Sequence, residues 1–197
     1  MKKLLTLNKT GRLSFRLANG VETEVRASRP NALLLIDTSA SMAGAKIEQA
    51  KSGAMDFAHS AIARGYATAL AIFADRAAMV CDPTVDATHF TRKIARLDVG
   101  LVGETTDLAA GLILADKFRE LAAVVIVTDG ATPQEPALRA ATALKDKNIE
   151  IICIGTDDAD RMFLKRLATR SSLATHVISQ DLRYAISDAS HLLRGKQ

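Results

Sequence analysis

Tryptophan is absent from the 197 residues, and aromatic side chains make up only 4% of the chain. A core of any size must then be built from Leu, Ile, Val and Ala, and the aromatic platforms that grip single-stranded nucleic acid are nearly missing. Cysteine occurs twice, at Cys81 and Cys153, far apart and in no CxxC or other metal-type spacing. That excludes a disulfide framework and a thiolate metal site; both lie in apolar, strand-like runs and are expected as buried free thiols of an intracellular protein. No apolar run approaches the roughly 20 residues that a membrane span needs. The opening MKKLLTLNKTGR has an apolar stretch that is too short for a secretory leader, is broken by Asn8, Lys9 and Gly11, and is followed by no small-residue cleavage site. A cytoplasmic, soluble protein is expected. The four histidines, His59, His89, His176 and His191, form no zinc pattern. Neither a GxSxG elbow, a P-loop nor a GxGxxG turn is present, which removes the common hydrolase and nucleotide-binding signatures.

What the chain does contain is apolar bulk and uneven charge. Apolar residues reach 48%, ample for a packed domain at this length. The net charge of +4 is concentrated at the start: Lys2, Lys3, Lys9, Arg12, Arg16, Arg26 and Arg29 against Glu22 and Glu24 give residues 1–29 a charge of +5, leaving the remainder close to neutral. Such a segment is either a solvated edge or a contact for nucleic acid or an anionic surface; without aromatics beside the charges, the solvated edge is preferred and nucleic acid is not the expected partner.

Residues 12–26 read as a hairpin around Asn19-Gly20. A two-residue loop would place Leu17 opposite Glu22. A three-residue loop, Ala18-Asn19-Gly20, pairs Leu17 with Val21, Phe15 with Thr23 and Leu13 with Val25, and only this register gives one apolar face. Beyond Arg29-Pro30, apolar runs alternate with helix-period segments: strands over 32–36, 67–74, 77–81, 122–130, 149–155 and 175–179, and helices over 45–63, 87–97, 106–120, 135–147, 159–171 and 182–193. Continuous apolar strands suit a sheet covered on both faces. The short link Asp75-Arg76 predicts one antiparallel neighbour. The expected fold is α/β: a doubly wound, mainly parallel, Rossmann-like sheet with one antiparallel edge strand, helices on both faces and an N-terminal β-hairpin. The expected organisation is a hairpin extension over 1–29 and one domain over 30–197.

Ligands of such folds gather at the carboxyl ends of the strands. Two apolar runs here end in aspartate, ALLLIDTSAS and AVVIVTDG, so Asp37 and Asp129 are expected at one edge. Ser39 and Ser41 sit at alternate positions after Asp37, and Thr106, read as the start of a helix, offers a further hydroxyl. Few carboxylates and several hydroxyls make a hard-cation site: Mg²⁺ takes about six oxygens at roughly 2.0–2.1 Å and keeps some water. An ion so weakly neutralised attracts an acidic group from outside.

These residues resemble the von Willebrand factor A (VWA) domain family in its bacterial stand-alone form. Asp37-Thr38-Ser39-Ala40-Ser41-Met42 is similar to that family's D-x-S-x-S motif, with Gly44, Lys46, Ile47 and Ala50 following in the bacterial manner. Thr106-Asp107-Leu108 is similar to its threonine motif and Thr128-Asp129-Gly130 to its aspartate motif. The resemblance spans roughly residues 31–193. It implies a metal-ion-dependent adhesion site with Asp37, Ser39, Ser41, Thr106 and Asp129 as direct or water-mediated ligands of Mg²⁺, with Mn²⁺ or Ca²⁺ as other occupants. It also implies a protein partner that presents Asp or Glu to the metal; relatives often work beside AAA+ ATPases. The loop Gly103-Glu104-Thr105-Thr106 departs from the family pattern by lacking paired glycines. Thr105 therefore competes with Thr106 as the ligand, and Glu104 brings negative charge to the ion's vicinity. In some members the last helix, here 182–193, shifts on ligand binding.

The leading expectation is a metal-dependent protein-interaction module and not an enzyme. The alternative is a Mg²⁺-dependent hydrolase acting on a phosphate-containing substrate, and a third reading is nucleic-acid binding through residues 1–29.

Overall fold

The computed structural model describes residues 29–194 and, as strand backbone alone, residues 5–7, 12–16 and 22–26. Two sheets are formed. The smaller holds β1 (Leu5–Leu7), β2 (Arg12–Arg16) and β3 (Glu22–Arg26) in the order β1-β2-β3, antiparallel throughout. Leu13 pairs with Val25 and Phe15 with Thr23, the register expected from keeping apolar residues on one face. The turn and the Leu17–Val21 pair lie outside the described residues, as do Lys2, Lys3 and Lys9. β1 was not expected: three residues are too few for a period to show.

The larger sheet has six strands: β4 (Asn31–Asp37), β5 (Ala67–Phe73), β6 (Ala77–Thr84), β7 (Leu121–Thr128), β8 (Glu150–Thr156) and β9 (Ala174–Val177), in the order β6-β5-β4-β7-β8-β9. All neighbours are parallel except β5 and β6, which turn back through Ala74-Asp75-Arg76 as the short link requires. Pro83 is tolerated because β6 is an edge strand with one side free of ladder bonds. Every residue of β4, β5 and β8 is buried, which is why these strands read as unbroken apolar runs and not as alternation.

The helices are α1 (Ala45–Ala63), α2 (Ala87–Ile94), α3 (Leu108–Ala115), α4 (Gln134–Asp146), α5 (Arg161–Leu167) and α6 (Leu182–Leu192). α1 packs against α2 and α6, while α3, α4 and α5 form a second contiguous layer. Between them, Leu33, Leu34, Leu35, Ile36, Leu70, Val125 and Ile126 are wholly excluded from solvent, each stabilising the fold by roughly 1.5–3 kcal/mol. Gly53 of α1 lies so close to α6 that a Cβ there would stand 2.7 Å from the Arg183 carbonyl oxygen. Arg183 Nε also donates to Asp56 at 2.9 Å, and Arg194 Nε to Glu150 at 3.1 Å, so both ends of α6 are tied down.

Three helices are shorter than their periodicity predicts, and all three start at a polar cap, Asp86 accepting the His89 N–H at the start of α2. Asp107 and Asp160 accept backbone N–H groups at the starts of α3 and α5, so each chain turns helical only after its aspartate. Thr106 therefore precedes the helix and belongs to a loop, correcting its expected place at a helix start. α2 stops at Ile94. Among the described residues, no helix is long and apolar enough to cross a membrane. Cys81 and Cys153 are buried free thiols.

Candidate functional site

The strand order reverses at β4: the chain crosses from β4 to β5 on one side and later returns to lay β7 on the other. Crossovers diverge there and leave a crevice beyond the carboxyl ends of β4 and β7, the place where open α/β sheets hold ligands. Asp37 ends β4, and Asp129 follows the last residue of β7. The sequence-predicted residues meet in this crevice. The Ser39 N–H donates to Asp37 Oδ1 at 2.9 Å, an Asx-type turn that bends the chain back over the strand end. The short 3₁₀ turn Ala40–Met42 then brings Ser41 round to donate to Asp129 Oδ1 at 2.7 Å. Ser39 Oγ and Ser41 Oγ lie 3.1 Å apart. Thr106 closes the ring from a separate loop: a Cβ placed on Gly130 would fall 3.1 Å from Thr106 Oγ1 and 3.8 Å from Ser41 Oγ. Three segments distant in sequence thus form one oxygen-lined cup. Its floor (Asp37, Ser39, Asp129) is buried, while Ser41 is exposed and Thr106 half-buried at the mouth.

Thr105 points elsewhere. Its hydroxyl and its N–H both donate to Asp75 Oδ1 in the β5–β6 turn, the N–H at 2.8 Å. With Ala40 N–H to the Glu104 carbonyl (3.1 Å) and Asp107 N–H to the Ala74 carbonyl (2.8 Å), this pins the loop that carries Thr106. Thr105 is thus a strut and Thr106 faces the cup. The Thr105 hydroxyl, with its N–H, holds the Asp75 carboxyl below the ordinary carboxylate range. Glu104 is exposed on the same loop.

The two buried carboxylates differ in their partners. Among the described residues, Asp37 receives only neutral donors, the Ser39 N–H and the Thr128 hydroxyl at 2.7 Å. Burial pushes its carboxyl above the usual range; hydrogen bonds from Ser39 and Thr128 oppose this without cancelling it. Asp129 is paired with the ammonium of Lys46, which also reaches Asp157 Oδ2 at 3.0 Å. Burial alone would lower Lys46, but its bonds to the two aspartates outweigh it and the net direction is upward. Asp157 is lowered, first by the Ser179 hydroxyl at 2.7 Å and then by Lys46.

Thr128, Lys46 and Asp157 are the residues that sequence reasoning passed over as parts of the site. A signal for Asp157 was present: the end of β8, Thr156-Asp157, repeats Thr128-Asp129 at the end of β7. Three adjacent parallel strands, β4, β7 and β8, therefore present an aspartate at their carboxyl ends. Among the described residues, no three His, Cys, Asp or Glu side chains group as a metal cluster. The cup's donors are instead two carboxylates and hydroxyls, all hard oxygens suited to Mg²⁺, Mn²⁺ or Ca²⁺ and unsuited to soft metals.

The fold has clear relatives. The vWF domain of the type V pili tip protein Mfa5 from Porphyromonas gingivalis superposes with a TM-score of 0.70 at 13% identity, over 87% of this chain and 98% of that one. Proximal thread matrix protein 1 from the mussel byssus superposes with a TM-score of 0.72 at 19% identity, over 85% of this chain and 46% of that one. This chain thus spans about half the length of the mussel protein. Another structure of that protein, with a zinc-occupied MIDAS motif, superposes with a TM-score of 0.67 at 18% identity, over 83% of this chain and 46% of that one. At these identities the likeness establishes the fold. No curated protein sequence matches. The sequence profile of the von Willebrand factor type A domain covers residues 31–190, most of the chain and all three segments that build the cup. The chain therefore belongs to the von Willebrand factor type A domain family.

Proposed function

We propose that this chain is a bacterial-type, cytoplasmic interaction module in which Asp37, Ser39, Ser41, Thr106 and Asp129 hold one Mg²⁺, directly or through water, and the ion captures an acidic group of a partner protein. VWA domains are typically metal-dependent protein-interaction modules; the ligand set, the metal and the partner are our reading. The observation that carries it is Asp37. It is fully buried, and among the described residues no cationic side chain bonds it. A buried carboxylate without a compensating charge is costly to maintain. Here it faces three hydroxyls and a second carboxylate around an open mouth, a donor set in search of a cation.

The residues divide the work. Asp37 supplies the uncompensated charge. Ser39 and Ser41 supply neutral oxygens from a turn fixed by Asp37 itself. Thr106 is held at the mouth by the Thr105–Asp75 strut. Asp129 closes the far side, its charge already shared with Lys46. When bound, the ion keeps surplus positive charge, because most of its donors are neutral, and offers a vacant position to a carboxylate. A partner Asp or Glu suits that vacancy, in an assembly of the AAA+ ATPase kind or another. Residues 1–29 act as a hairpin extension and 30–197 as the VWA domain.

The test is Mg²⁺ titration by calorimetry, followed by capture from native lysate with and without chelator. Wild type should bind Mg²⁺ and retain chelator-sensitive proteins. Asp37→Ala and Asp129→Ala should lose both while staying folded, and Ser39→Ala should weaken them less. Metal-independent capture, or Mg²⁺ affinity indifferent to Asp37→Ala, would overturn the proposal. Turnover of a phosphate ester that disappears in Asp37→Ala would favour a hydrolase instead.

A further inference from the structure

We infer that Lys46 is a tethered cation that competes with the divalent ion for Asp129, and that Asp157 holds it in place, so that the Lys46–Asp157 pair sets the metal affinity of the cup. The inference rests on the metal reading above and adds residues outside its ligand set.

Lys46 sits in the first turn of α1, directly after the turn that carries Ser39 and Ser41. An ammonium is a compact charge with three donors and no preferred plane. Two of its donors are committed: one to Asp129 Oδ2, the other to Asp157 Oδ2 at 3.0 Å. Both oxygens of Asp129 are therefore engaged, Oδ1 by the Ser41 hydroxyl at 2.7 Å and Oδ2 by Lys46. Among the described residues Asp37 has no such partner, so the two carboxylates are unequal: Asp37 offers its full charge to a cation, Asp129 only the part that Lys46 leaves.

Asp157 is itself built in. It stands at the end of β8 with a left-handed backbone, φ 49°, a conformation that aspartate tolerates better than most residues. Ser179 Oγ donates to its Oδ1 at 2.7 Å, and its carbonyl lies 3.2 Å from His176 Nε2. These contacts hold the carboxylate whose Oδ2 meets Lys46. Asp157 is a third of the way exposed while Asp129 is buried, so the ammonium is drawn partly outward. If Asp157 is neutralised, Lys46 rests on Asp129 alone and competes harder. If Lys46 is neutralised, Asp129 is freed from its ion pair and the repulsion between the ammonium and the metal is gone. The two single changes act in opposite directions, and the effect of Asp157 runs through Lys46.

The experiment is calorimetric titration of Mg²⁺ into wild type, Lys46→Met, Lys46→Gln, Lys46→Arg, Asp157→Asn and the Lys46→Met/Asp157→Asn double variant, with circular dichroism to verify folding. Removing a unit charge beside a divalent ion in a partly buried site should tighten Mg²⁺ binding on the order of tenfold or more in Lys46→Met and Lys46→Gln. Lys46→Arg should stay near wild type. Asp157→Asn should weaken binding severalfold, and that weakening should shrink in the Lys46→Met background. Should one neutral variant fail to fold, the other carries the comparison. Wild-type binding that is unchanged or weakened in both neutral variants would overturn the inference and leave the metal reading standing. Equal Asp157→Asn effects with and without Lys46 would also overturn it. No Mg²⁺ binding by any of the proteins would overturn the metal reading and this inference together.

Discussion

Replacing Gly130 by alanine tests the convergence of the cup without removing any donor atom. Gly130 follows Asp129, and its backbone does not lie in the left-handed region, so alanine is conformationally acceptable. The new methyl would stand 3.1 Å from Thr106 Oγ1 and 3.8 Å from Ser41 Oγ. The first separation is a few tenths of an ångström too short, and the threonine, on a loop held by Asp75, must yield. Mg²⁺ tolerates little of this, since it demands a near-ideal octahedron at roughly 2.0–2.1 Å. If Thr106 is a ligand as proposed, such a displacement should cost about tenfold in Mg²⁺ affinity, or ~1.4 kcal/mol. Folding stability should change by less than about 1 kcal/mol, because no core residue moves. Calorimetric titration measures the first quantity and thermal unfolding in chelator the second. Thr106→Ala should weaken binding as well, and the double variant should fall short of the sum, because Gly130→Ala acts through Thr106. A folded Gly130→Ala protein with wild-type Mg²⁺ affinity would refute the placement of Thr106 and Ser41 beside Gly130.

Three further outcomes follow from the packing and the caps. Gly53→Ala should gain about 1 kcal/mol of helix propensity but lose roughly 1–3 kcal/mol to overpacking against α6. The net effect should be a Tm lowered by a few degrees; an unchanged or higher Tm would mean that α1 and α6 do not meet through Gly53. Burial raises both thiols, and Cys153 most strongly, so a thiol reagent at neutral pH should label Cys153 only as fast as the protein unfolds; rapid labelling in native buffer would contradict its place in β8. Asp160 accepts the N–H groups of Met162 and Phe163, and the Phe163 bond leads in lowering its carboxyl below the ordinary range. Its contribution is therefore present above the unfolded carboxylate pKa and lost as pH falls through the lower folded value. Asp160→Ala should destabilise the protein at pH 7, and the difference from wild type should vanish in acid.

The fold was legible in the sequence because its two periods are distinct. Runs such as Leu33–Ile36 and Val124–Val127 are apolar at every position, which only a doubly covered sheet explains. α1 has the spacing of a one-sided helix, and the observed Ala45–Ala63 matches the expected span. The ends were less legible. α3 and α5 begin after Asp107 and Asp160 because those side chains cap the first free N–H groups, a local competition that apolar spacing does not record. The hairpin register was recoverable from one apolar face; the three-residue β1 was too short to show a period.

For the cup, sequence alone determined which residue types stood at the ends of β4 and β7 and that their oxygens suit a hard cation. Burial, and the loop that returns over the sheet, decided the rest. Thr105 and Thr106 are adjacent and chemically identical, and only the strut to Asp75 assigns one to the scaffold and the other to the mouth. Lys46 and Asp157 are 111 positions apart and meet because the strand order sets β7 and β8 beside β4, so that the ends of these parallel strands share the edge from which α1 departs. Charge compensation is a matter of distance through space, and a linear chain does not state that distance until it has folded.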